Sequence, residues 1–365
     1  ECMPVITKQF QNLTLPQLGF GSMRLPLLPG GGDEDADQAA VDRMVHIAMA
    51  RGANYFDTAY GYHGGKSEVV IGKALSRYPR ESFFLADKFP GYDVDNIRAD
   101  KVEAIFEEQL RRCGVEYFDF YLFHNVYERN VEPYLDPENR VVEYLLEQKR
   151  NGRIRHLGFS AHGALPVIRK FLDAVGEHME FGQLQLNYLD WDFQQARDKA
   201  AELNRRNIPI WVMEPLRGGR LARLTEEEAE KLRALRPGEN PVGWAFRFLQ
   251  GVPGVTVILS GMSSQEQLED NLNLFETETP LTDAEMDALL KVAGGMVNSR
   301  TLPCTACRYC VDHCPRGLDI PGLLALYNEH TFTGGGFIAP MAVEALPEDR
   351  RPSACVGCRS CERVC

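Results

Sequence analysis

Nowhere in this 365-residue chain is there a run of about 18 apolar residues, so no segment reads as a membrane-spanning helix. Positive charge is also in deficit: 40 Lys and Arg stand against 52 Asp and Glu, a formal charge of −12. With a pI near 5.3 the chain has no basic field for a polyanion, which excludes nucleic acid as a partner class. The opening residues show no secretory signal. Cysteine is scarce outside two short segments; only Cys2 and Cys113 stand apart, and both read as ordinary thiols. At this length the chain can bury a large core of its own.

The other eight cysteines form two copies of one pattern, Cys304-x2-Cys307-x2-Cys310-x3-Cys314 and Cys355-x2-Cys358-x2-Cys361-x3-Cys365. With this spacing three thiolates on one tight loop grip a cubane 4Fe–4S cluster, and the fourth cysteine reaches across to the other cluster. One cluster is therefore assigned to Cys304, Cys307, Cys310 and Cys365, the second to Cys355, Cys358, Cys361 and Cys314. Pro315, after Cys314, matches the bacterial form of the run. Zinc wants two close pairs rather than two quartets, and disulfides do not explain three cysteines at strict two-residue gaps. Such thiols suit a reducing compartment, and the expected location is the cytoplasm of an anaerobic prokaryote.

Before Cys304 the chain repeats short apolar strand, loop and amphipathic helix. Candidate strands span 18–21, 53–57, 83–88, 118–124, 156–160, 182–185, 208–214 and 255–260. Helical stretches lie at 38–50, 66–77, 97–112, 138–150, 164–175, 193–206, 226–235 and 264–275. Gly52, Gly114 and Gly152 sit where a left-handed cap ends a helix. Eight evenly spaced units favour a closed (β/α)8 TIM barrel over a doubly wound sheet. Segments 5–10 and 13–15 read as a hairpin plugging the barrel bottom. A further helix over 281–292 opens on the box Thr282-x2-Glu285, and another covers 321–328. The expected division is a barrel over 1–295 and a helical ferredoxin-like module over 296–365.

Barrel sites gather at the C-terminal strand ends. Here those ends carry Asp57, Lys88, His124, Ser160, Gln183, Glu214 and Ser260, a polar set for positions that close apolar runs. Taken singly, Asp57 reads as a helix cap, Lys88 as a snorkelling lysine and His124 as a satisfied core histidine.

The run from Gly52 to Tyr62 (Gly-Ala-Asn-Tyr-Phe-Asp-Thr-Ala-Tyr-Gly-Tyr), then Ser67-Glu68 and Gly72, resembles the signature of the aldo-keto reductase family. Lys88 in Leu85-Ala-Asp-Lys-Phe and His124 in Asp119-Phe-Tyr-Leu-Phe-His match its other two motifs. The cysteine-rich tail resembles the branch with a C-terminal ferredoxin-like extension. The resemblance implies NAD(P)H-dependent reduction of a small-molecule carbonyl, or oxidation of the alcohol, by a tetrad of Tyr62, Lys88, Asp57 and His124. In that scheme Tyr62 is the proton donor, Lys88 lowers its pKa, Asp57 holds Lys88, and His124 orients the carbonyl oxygen. Tyr60 is the rival donor, offset by two residues.

Cofactor contacts carried over from the family fall on Ser22, Met23, Ser160, Gln183, Met213, Leu216, Gly218, Gly261, Gln267 and Asn271. Met213 stands where an aromatic ring normally stacks on nicotinamide, and Ala161 where an Asn is usual. Around Gly261, Met262 and Gln267 the family commonly puts Lys and Arg on the 2′-phosphate of NADP; without them NADP specificity is not expected. Electron counting leaves three arrangements open, because nicotinamide moves two electrons as hydride and each cluster passes one. The clusters are structural or serve a ferredoxin-like redox partner, or a flavin on the barrel splits electron pairs, or the clusters reduce a substrate stepwise. A non-catalytic electron-carrier subunit is the reading from a different class.

Overall fold

The computed structural model describes residues 3–298, 300–304 and 307–365. Cys2 lies outside them. They divide into two compact units, Glu1–Leu289 and Leu290–Cys365.

The first unit opens with a hairpin of β1 (Thr7–Phe10) and β2 (Leu13–Pro16), paired antiparallel. Eight parallel strands follow: β3 (Leu18–Gly21), β4 (Tyr55–Asp57), β5 (Phe84–Phe89), β6 (Phe118–Val126), β7 (Ile154–Ala161), β8 (Phe181–Gln185), β9 (Ile210–Met213) and β10 (Val255–Gly261). They close in chain order, with β10 pairing back onto β3 through Ile258↔Leu18 to Gly261↔Gly21. Parallel strands need long crossovers, and helices supply them, leaving both faces of each strand buried. That burial is why β5, β6 and β10 read as near-continuous apolar runs rather than alternating ones.

Inside the barrel, Tyr55, Phe120, Phe181 and Trp211 pack with Phe10 and Leu15 of the hairpin. Phe10 meets Trp211 edge-on at 5.1 Å and Phe120 at 5.7 Å, so the hairpin stoppers the end opposite the polar strand ends. The Trp211 indole N–H donates to Tyr55 Oη at 2.8 Å, which pairs the two polar groups of this aromatic layer with each other.

Gly52, Gly114 and Gly152 take positive φ after their helices (76°, 67° and 74°), as expected. Two differences concern helices. After β9 the chain forms not one helix but two, Glu226–Arg233 and Pro241–Gln250, and the second, with buried Trp244, Phe246 and Phe248, packs on the barrel. Its Pro241 and Gly243 read as breakers, yet Pro suits the first helical turn, and Asn240 caps it by accepting from Gly243 N–H at 2.7 Å. Segment 193–206 is split: Asp190–Phe193 and Ala196–Arg205 are separated by Gln195 at φ 54°.

The helix Asp283–Asn298 starts on the anticipated box, with Thr282 N–H donating to Glu285 Oε2 at 2.8 Å and Glu285 N–H to Thr282 Oγ1 at 3.3 Å. Within the second unit, the helix Ile320–Thr333 runs further than 321–328 and packs on Ile338–Ala345. Two one-turn helices, Tyr309–Asp312 and Ser360–Val364, pack on each other. Each follows an arginine at positive φ, Arg308 at 66° and Arg359 at 59°, so the repeated sequence is a repeated structure.

Candidate active site and cluster thiols

Lys88 lies on β5 with its side chain 0% exposed. Asp57 pairs with Ala86, and Lys88, two residues further along β5, faces the same way. Its ammonium donates to Asp57 Oδ1 at 2.7 Å and to Thr58 O at 2.8 Å, and stands 3.4 Å from Tyr62 Oη. Tyr62 opens a tight turn, Tyr62–Gly65, in which His63 and Gly64 are left-handed; the turn folds the phenol back over the strand end. Tyr60 instead places its ring under the Arg112 guanidinium at 4.5 Å. His124 presents its ring edge-on to Tyr62 (centroids 6.2 Å apart, 85°) and to Tyr92 (5.1 Å, 82°).

Burial raises the Tyr62 pKa above the ordinary value and outweighs the lowering by Lys88. The net lowering expected from the ammonium is thus reversed, and Tyr62 is a protonated phenol at neutral pH. Burial works against the Lys88 charge, but Asp57 and Tyr62 overcome it and raise its pKa, which keeps the ammonium. Burial raises Asp57, with Lys88 opposing it. His124 is driven well below the usual range, first by burial and then by Lys88 and His162, so it is neutral. His124 Nδ1, Asp57 Oδ2 and Gln183 Oε1 are buried with no hydrogen-bond partner among the described residues. Three orphaned polar atoms around one strand-end set are what a site awaiting a polar ligand shows.

From Asp57 and Tyr62 a groove of about 270 Å3 runs across the ends of β8, β9, β10 and β3. Met23, Gln183, Met213, Leu216, Gly218, Gly261, Gln267 and Asn271 line it. Ser22 and Ser160 do not. Ser22 is fully buried and donates from its backbone N–H to Asp57 O at 3.0 Å, and Ser160 Oγ accepts from Asn125 N–H at 2.8 Å. Gln183 Nε2 reaches Met213 Sδ at 3.9 Å, and Asn271 Nδ2 donates to Ser260 Oγ at 3.1 Å. The elongated groove and the orphaned Gln183 oxygen fit a nicotinamide dinucleotide with an amide to satisfy.

Sequence reading missed two groups here. Arg24, three residues past β3, lies over Gly261, where a Cβ would touch its side chain, and pairs with Glu214 at 3.2 Å across the groove. Its only sequence signal is a cation directly after Met23. Gln109 is buried behind Lys88, its Nε2 within 2.8 Å of Lys88 O, 3.0 Å of Asp87 Oδ1 and 3.1 Å of Glu68 Oε1. It sits on a helix face that reads as ordinary amphipathic spacing. Three loop aromatics have different surroundings: Tyr92 meets the His124 ring, Tyr134 donates to His124 O at 2.9 Å from a buried position, and Trp191 packs on Phe248 at 5.4 Å.

In the second unit no disulfide joins the eight motif cysteines. Cys314, Cys355, Cys358 and Cys361 line one cavity of about 360 Å3, walled by Leu318, Ile320, Leu323 and Val356. The fourth cysteine of the first motif is thus brought to the first three of the second. Burial and the neighbouring Cys304, Cys307 and Cys361 push the Cys310 thiol up. Among the described residues no three His, Cys, Asp or Glu side chains converge on a point that would hold a single metal ion. The four thiols ring a volume instead, and that donor set fits a cubane.

A family model described as the aldo/keto reductase family matches residues 17–293, and one described as a 4Fe-4S dicluster domain matches residues 303–365. The chain is 28% identical over 228 residues to an NADH-specific methylglyoxal reductase of Escherichia coli K12, covering 58% of this chain and 66% of that protein. It is 28% identical over 176 residues to the aldo-keto reductase yakc, NADP(+), of Schizosaccharomyces pombe, covering 46% of this chain and 48% of that one. The alignments thus span about two thirds and about half of these relatives' lengths. An aldo-keto reductase from Bacillus halodurans in its holo form has a similar structure (TM-score 0.64, 25% identity, 79% of this chain and 96% of that one).

Proposed function

The chain belongs to the aldo/keto reductase family and carries a 4Fe–4S dicluster domain, and from that premise we propose that it reduces a small carbonyl with a nicotinamide cofactor, Tyr62 giving the proton. The observation that carries the reading is the fully buried Lys88 ammonium, anchored by Asp57 and 3.4 Å from the Tyr62 hydroxyl.

When bound, a reduced nicotinamide supplies hydride to the carbonyl carbon. Neutral His124 has an N–H to offer the carbonyl oxygen, and Tyr62 transfers its proton there as negative charge develops, so that an alcohol is formed. The phenolate left behind is stabilised by Lys88, a charge that grows in value as the phenol ionises. Asp57 and Thr58 O fix the ammonium so that it has no rotameric freedom to lose. Gln183 and Asn271 would hold the two ends of the dinucleotide, and Met213 would pack on its ring. Among the described residues lining the groove the one cation is Arg24, already paired with Glu214; a 2′-phosphate would want an uncommitted one, so NADH is the preferred cofactor.

The tetrad lies wholly within the first unit, which supports hydride chemistry complete in the barrel, with the clusters exchanging single electrons with a redox partner. A nicotinamide is preferred to a flavin because the matched family model spans all eight barrel strands without interruption. The test is oxidation of NADH and NADPH with a panel of aldehydes and ketones that includes methylglyoxal. Tyr62→Phe should lower the rate by about 10²–10⁴-fold with nucleotide affinity kept. Full activity in that variant would remove Tyr62 from the chemistry.

A further inference from the structure

The left-handed arginines in the second unit are a repeated anomaly. Arg308 and Arg359 each follow the second cysteine of a motif, and each adopts positive φ, a conformation that sterics leave to glycine. A side chain kept twice at a position where glycine would be relaxed points to a use for the side chain.

Their surroundings differ. Arg308 is paired with Asp319 at 3.1 Å, and Asp312 lies on the adjoining one-turn helix. Arg359 lines the cavity ringed by Cys314, Cys355, Cys358 and Cys361, as does Arg316, which donates to Ala354 O at 3.4 Å. Among the described residues neither has a carboxylate within salt-bridge distance. Arg363 lies one turn further on, bonded to Ser360 Oγ at 3.0 Å, with Glu362 beside it as the one acidic residue of that helix. Guanidinium charge is therefore offset at the first motif and left standing at the second. A positive charge beside a cluster favours its more negative, reduced state, and net charge is among the factors that set cluster potentials.

We propose that these arginines make the two clusters unequal, so that the one held by Cys314, Cys355, Cys358 and Cys361 has the higher potential and takes the first electron. Each cluster accepts one electron from a low-potential one-electron donor, and no proton or bond change is required. The inference rests on the assignment of the eight cysteines to two clusters.

The test uses the full chain, purified anaerobically, with iron and sulfide counted first and then a dithionite titration with mediator dyes followed by electron paramagnetic resonance. Two one-electron steps are expected. Arg359→Gly, which relieves the backbone strain, should leave iron content and thermal stability intact or improved. It should lower the upper step by at least tenfold in the one-electron equilibrium constant, ~59 mV, while Arg359→Lys stays near the parent. Arg308→Gly should move the upper step less. An upper step that Arg359→Gly leaves in place, or that Arg308→Gly moves more, overturns the order. An iron content near zero would instead overturn the cluster assignment and the order with it.

Discussion

Replacing Lys88 by Met separates the ammonium's two tasks. Its distance from the Tyr62 hydroxyl is 3.4 Å. At an effective dielectric of about 20 a unit charge at that distance is worth roughly 5 kcal/mol to a phenolate, between three and four pKa units. Burial already raises Tyr62, so losing Lys88 raises it further, and proton donation becomes much harder. The rate of carbonyl reduction should fall by ~10³-fold or more. The fold suffers separately. Asp57 is 3% exposed, its Oδ2 has no partner among the described residues, and Oδ1 would lose its own. Stranding one member of a buried pair typically costs ~3–5 kcal/mol. The double variant Asp57→Leu with Lys88→Met removes both charges of the pair, so it should recover most of that stability while staying inactive. The assays are NADH oxidation with methylglyoxal as probe, and urea unfolding followed by tryptophan fluorescence. All three tryptophans lie in the barrel unit, so the signal reports that unit alone. A single variant within tenfold of parent activity, or a double variant with additive stability losses, would refute the reasoning.

The pH profile offers a second check. Tyr62 is protonated below its raised pKa, and His124 is neutral above its strongly lowered one, so kcat/KM for reduction should be level from about pH 6.5 to 10, the two ordinary values; an alkaline limb near pH 8 would mean a phenol pKa lowered instead. At Gly72 a Cβ would land on the Cys113 carbonyl, where the helix Ser67–Leu75 crosses Val102–Cys113. Gly72→Ala should therefore destabilise the barrel by ~1–3 kcal/mol in the same urea assay, despite alanine's better helix propensity; a stabilised variant would show that the two helices can part at little cost.

Much of this molecule is local, and local features can be read along the chain. Strand-helix alternation, the Thr282 box and the cysteine gaps depend on neighbours within a few residues, and so does the polar residue ending each strand. Asp57, Lys88 and His124 could be named because parallel strands in chain order carry their C-terminal ends to one mouth. The helix Pro241–Gln250 was not legible: its breakers suit a first turn only once the barrel's apolar surface is there to stabilise the rest.

What remained hidden depends on groups far apart in sequence and on how deeply they are covered. Whether Lys88 lowers Tyr62 or burial raises it is a contest between a charge and the loss of water, and water exclusion belongs to the whole barrel rather than to any motif. Arg24 meets Glu214 across 190 residues, and Gln109 reaches the Lys88 carbonyl from another element. Cys314 shares a cavity with Cys355, Cys358 and Cys361; the spacing implied that exchange, but the arginines left uncompensated beside those thiols emerge only when the chain has folded back on itself. Covalent order therefore dictates which groups are available and in what rhythm. Packing decides which of them lose water, and so which charges count.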